Sequence, residues 1–169
     1  MKRVLSSTFR SRLRGFLKQD AGVALVEFAL ALPIFILVFA VIVDGSRMMF
    51  SYQAAINGVR DATRYLSRAV PENICTTGGS VTGYSAELQV LVEQGLSGGS
   101  LFPPNVTITS VTPSYACFPT GYRGAPVAVA QVTAELSLTF PFQGVFDWLG
   151  SNLSAYTTSV TDQARVAGS

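Results

Sequence analysis

A carboxylate, Glu27, lies inside the apolar run VALVEFALALPIFILVFAVIV, Val23 to Val43, and stands fifth after Gly22. An ionisable group there suggests one chemistry above others, an ion pair with a chain terminus. Cleavage of the Gly22–Val23 peptide bond would free an α-amine on Val23, one helical turn from the Glu27 carboxylate. A buried carboxylate beside an ammonium costs far less than one left alone. Glycine before the cut suits a protease that takes the backbone extended and close, because no Cβ obstructs it. The plainer reading is that Glu27 lies about 6 Å along the helix from Val23 and reaches the membrane edge. There it costs well under the roughly 3 kcal/mol of a mid-bilayer charge.

The remaining residues offer little to catalysis. The chain has no histidine, which removes Ser-His-Asp and Cys-His arrangements and most zinc ligand sets. Two cysteines, Cys75 and Cys117, cannot build a four-cysteine zinc site. Glu87 and Glu93 fall on different faces of one short predicted helix, and Glu135 stands by itself on a strand, so no acid pair forms. No catalytic residue, metal, cofactor or small-molecule substrate is expected. Lys2, Arg3, Arg10, Arg12, Arg14 and Lys18 against Asp20 give the first 22 residues a charge of +5, while the rest carries −3. A basic cluster before an apolar run fixes membrane orientation. Without interleaved aromatics or a folded module to present a groove, it does not indicate nucleic acid.

These groups need a scaffold. Hydrophobic residues make up 49% of the 169, charged residues 13%, and mean hydropathy is +0.38, so part of the chain is read as residing in lipid. Val23–Val43 can cross a hydrocarbon core of roughly 30 Å at about 1.5 Å per residue. It exceeds the roughly 7–15 apolar residues of a secretory signal. The basic flank places the N-terminus in the cytoplasm and the rest outside, in a bacterium the periplasm. Gly45, Met48, Tyr52, Ala55, Val59, Ala62, Leu66 and Ala69 then recur in steps of three and four, an apolar stripe that extends the helix to Pro71. Asp44–Arg47 and Asp61–Arg64 are spaced to pair off that stripe. Pro33 is expected to bend the helix.

Past Pro71 the pattern changes. A short helix capped by Ser85 and ended by Gly95–Gly99 is followed by predicted strands at Asn105–Val111, Ala125–Phe140 and Ser154–Gln163. In the middle strand Ala128, Ala130, Val132, Ala134, Leu136, Leu138 and Phe140 form the apolar face, expected against the helix. The fold class is α+β: a long N-terminal transmembrane helix running into a small head of about three antiparallel strands and a short helix. The divisions are leader 1–22, span 23–43, helical continuation 44–70 and head 71–169. Cys75 and Cys117, 42 positions apart on the oxidising side, are expected to form a disulfide, with two buried thiols as the other reading. The segment FPFQGVFDWLG (Phe140–Gly150) reads as a cap on the head's core, or else as a contact with the bilayer or a partner. Asn105-Val-Thr and Asn152-Leu-Ser match the glycosylation pattern by chance.

The basic leader, Gly22, and VALVEFALALPIFILVF with Glu27 fifth after the glycine resemble the class III signal of type IV prepilins. From Gly22 to Arg68, with VDGSR and YQAAINGVRDATRY, the chain resembles the TadE-like family, minor pilins (pseudopilins) of the Flp/Tad pilus. Phe28 stands where that family's motif often has tyrosine. The resemblance implies cleavage between Gly22 and Val23 by an inner-membrane prepilin peptidase, and neutralisation of the Val23 amine by Glu27. It implies an inner-membrane, single-pass protein with a periplasmic head that serves pilus assembly, adherence and biofilm formation. Its partners would be membrane lipid, the peptidase, other pilins and Tad assembly-platform proteins. A signal-anchored periplasmic binding or sensing domain with an uncleaved N-terminus is the alternative.

Overall fold

The structure, a computed structural model, describes residues 20–94, 98–119, 126–148, 150 and 155–168. The leader before Asp20, Gly95 and Asn152 lie outside the described residues. Helix α1 spans Asp20–Ala69, 50 residues, with Pro33 inside it and no interruption there. The chain divides into two compact units between Val43 and Asp44.

In the first unit α1 presents long apolar side chains on every side. Val23, Leu25, Phe28, Leu30, Phe35, Phe39 and Ile42 are all exposed by more than half. A helix whose long apolar side chains are mostly exposed suits hydrocarbon, although Ala40 is buried, and α1 is long and apolar enough to cross a membrane.

In the second unit α1 has one buried stripe. Ala55, Val59, Ala62 and Leu66 are fully buried, as their spacing predicts. Nearer the membrane the stripe shifts: Gly45 and Tyr52 are exposed, while Asp44 and Ser51 are buried in their place. The predicted stripe repeats every 3.5 residues, whereas a straight helix turns every 3.6 and drifts by about 20° per heptad. Counting back from Ala55 by whole turns lands on residues 51 and 44. The buried hydroxyls need no outside partner, since Ser51 Oγ donates to the Arg47 carbonyl and Thr63 Oγ1 to that of Val59.

Helix α1 ends before Pro71, and the C-terminal tail satisfies one of its last carbonyls: Ala167 N–H donates to Ser67 O at 2.9 Å. Helix α2 (Ile74–Thr77), a 3₁₀ turn (Thr82–Tyr84) and helix α3 (Ser85–Gln94) follow. Ser85 is the first helical residue of α3 rather than its cap, because the 3₁₀ turn already delivers the chain in helical geometry. Strands β1 (Val106–Phe118), β2 (Val127–Thr139) and β3 (Ala155–Arg165) form an antiparallel sheet in that order, with helix α4 (Gln143–Trp148) between the last two. On β2 the even-numbered residues Ala128 to Leu138 are buried, as the alternation predicts, and Phe140 beyond the strand is half-buried.

Strand β1 runs seven residues past its predicted end at Val111. Val106 and Ile108 have one parity, Val111, Pro113 and Tyr115 the other, so a regular strand could not turn both sets inward. A bulge between Ile108 and Ser110 inserts Thr109 and resets the parity. Pro113 is tolerated because β1 is an edge strand and its missing donor is not needed by β2. The core joins the α1 stripe, Leu88 and Val92 of α3 and the inner face of the sheet.

Candidate functional site

Gly22 and Val23 sit in the first turn of α1, and Glu27 follows one turn later on the exposed surface. Val23 and Glu27 are neighbours on one helix face by the four-residue spacing.

Asp44, the first residue after the apolar run, departs from expectation. It is only 4% exposed, and its Oδ2 accepts the Phe142 N–H at 3.3 Å. Its Oδ1 is buried with no hydrogen-bond donor among the described residues. The predicted Asp44–Arg47 pair on an exposed face is therefore replaced by an anchor for the turn that precedes α4. Asp61 and Arg64 do approach, at 3.7 Å, on the exposed surface. The side chains of Phe140, Phe142 and Phe146 are half-buried, and the rings of Phe140 and Phe146 meet edge to face at 6.5 Å.

Two contacts clamp the head to the second half of α1. A Cβ on Gly58 would stand 2.8 Å from the Val92 carbonyl oxygen, so α3 crosses α1 at glycine-only distance. Tyr65 Oη donates to Glu87 Oε2 at 2.7 Å, and that bond, with the charge of Glu87, raises the phenol's pKa above its ordinary value. Cys75 and Cys117 form a disulfide with Cα atoms 5.7 Å apart, tying α2 to the end of β1.

The acids are used singly. Glu93 accepts from Gln89 Nε2 and Glu135 from Ser110 Oγ. Among the described residues no group of three His, Cys, Asp or Glu side chains could hold a metal ion. Asn105 is engaged too, its Nδ2 donating to the Thr139 carbonyl. The buried Asp44 was missed from sequence, although strict 3.6-residue counting from Ala55 would have found it.

No curated protein and no solved structure matches the chain. Residues 22–64 match the family model described as TadE-like protein, a stretch that opens on Gly22 and lies wholly within α1. Over that stretch the chain is similar to the TadE-like family.

Proposed function

We propose that the chain is a minor pilin, a pseudopilin, needed to assemble a Flp/Tad type IV pilus used in adherence and biofilm formation. A prepilin peptidase cuts between Gly22 and Val23 at the inner face of the bacterial inner membrane. The head stands in the periplasm, and the mature chain meets other pilins and the assembly platform. The observation that carries this reading is that the family match begins at Gly22, on a helix whose long apolar side chains before Val43 are mostly exposed.

The electrostatics explain why a glutamate belongs there. Cutting places an ammonium at the positive end of the α1 dipole, an unfavourable arrangement worth about 0.3–1 kcal/mol. Glu27, one turn on, neutralises it in its own or a neighbouring chain. Neutral helix starts can then pack side by side in lipid, where an unpaired charge would hold them apart.

The test is the N-terminus of the protein taken from cells that possess the peptidase, read by intact mass. The expected product begins at Val23, and Gly22→Leu leaves the leader attached. Glu27→Ala is expected to be cut normally but to assemble few pili, counted by microscopy. A native chain that keeps Met1 to Gly22 overturns the reading and favours the signal-anchored alternative.

A further inference from the structure

We infer that the aromatic turn Phe140–Trp148 rests in the membrane–water boundary, with lipid as its partner. The inference relies on α1 being membrane-inserted, as in the function proposed above.

Three observations carry it. The apolar run closes at Val43, so Asp44 marks the level at which the chain leaves hydrocarbon, whatever the helix tilt. The Asp44 carboxylate holds the Phe142 N–H, which fixes a residue 98 positions away at that same level. The held segment, FPFQGVFDW, contains aromatics and a single charge, Asp147, which is exposed. Phe140, Phe142 and Phe146 each keep part of their surface accessible. Aromatic side chains favour the headgroup level, where one end is apolar and the other wet.

Trp148 is the chain's one tryptophan and reports on this directly. The full-length protein is reconstituted into phosphatidylcholine–phosphatidylglycerol vesicles whose acyl chains are brominated near the headgroup or near the chain end. Insertion is checked separately by flotation after an alkaline carbonate wash. Headgroup-proximal bromine is expected to quench Trp148 more strongly than deep bromine. Asp44→Ala should lose most of that quenching, while Asp44→Asn, whose amide oxygen can still accept the Phe142 N–H, should keep it.

Protein that floats but shows no quenching at either depth overturns the inference and leaves the span intact. Quenching that follows the protein-to-lipid ratio rather than bromine depth also overturns it, and assigns the turn to a second copy of the chain. Protein stripped by carbonate overturns the span, and this inference with it. The wild-type depth profile decides the matter even if Asp44→Ala fails to fold.

Discussion

Leu30 and Leu66 lie on one helix and carry one side chain, yet Leu30 is 73% exposed and Leu66 is fully buried. Before Val43, α1 is apolar on every face and has no protein core of its own. Beyond Asp44 it has one buried stripe, polar neighbours and a head built on it. Helical propensity does not separate the halves. The solvent each half is built for does. Lipid accepts apolar surface without exacting shape, whereas a protein core demands complementary volume at every position.

That contrast predicts where damage will be felt in the full chain in detergent micelles. Replacing both Cys75 and Cys117 with serine should have the largest effect, because the bridge constrains a loop of 42 positions in a small head. The chain-entropy relation gives a loss of about 4 kcal/mol, seen as a lowered thermal midpoint of the head while the span stays helical. If the span melted together with the head, the two halves would not be separable.

Next come the paired leucines. Leu66→Ala should cost about 2–5 kcal/mol through the cavity it leaves. Leu30→Ala, truncating an exposed side chain, should leave the head's midpoint where it was. Equal shifts from both would end the distinction drawn above.

The smallest effect sharpens the comparison within the head half itself. Gly58→Ala must push against the Val92 backbone and should destabilise by about 1–3 kcal/mol. Gly45→Ala meets nothing within 4 Å and should stabilise α1 by up to about 1 kcal/mol, since alanine is the better helix former. Urea titration followed by circular dichroism distinguishes the two signs.

Much of this fold was legible because its signals are local. An unbroken apolar run gives the span, three- and four-residue steps give the Ala55–Leu66 stripe, and strict alternation gives the inner face of β2. Other features resisted for a physical reason in each case. The bulge at Thr109 reverses the parity of β1, and the predicted strand ended at Val111, short of its second half. Ser85 had the chemistry of a cap, but the preceding 3₁₀ turn left no cap to make. Of the candidate site, Gly22, Val23 and Glu27 were readable as a constellation because their meaning lies in short spacing along one helix. Asp44 was not, because its partner comes from far along the chain.

By itself the sequence determined which segment suits lipid, which face of each element is apolar, and where a cut would place an amine beside a carboxylate. These follow from side-chain period and solvent, which act over a turn or two of chain. Only the tertiary structure decided that Asp44 accepts the Phe142 N–H, that an aromatic turn hangs from it, and that α3 crosses α1 at Gly58. Each of those depends on which distant backbone donor or carbonyl arrives at a given position, and packing makes that choice.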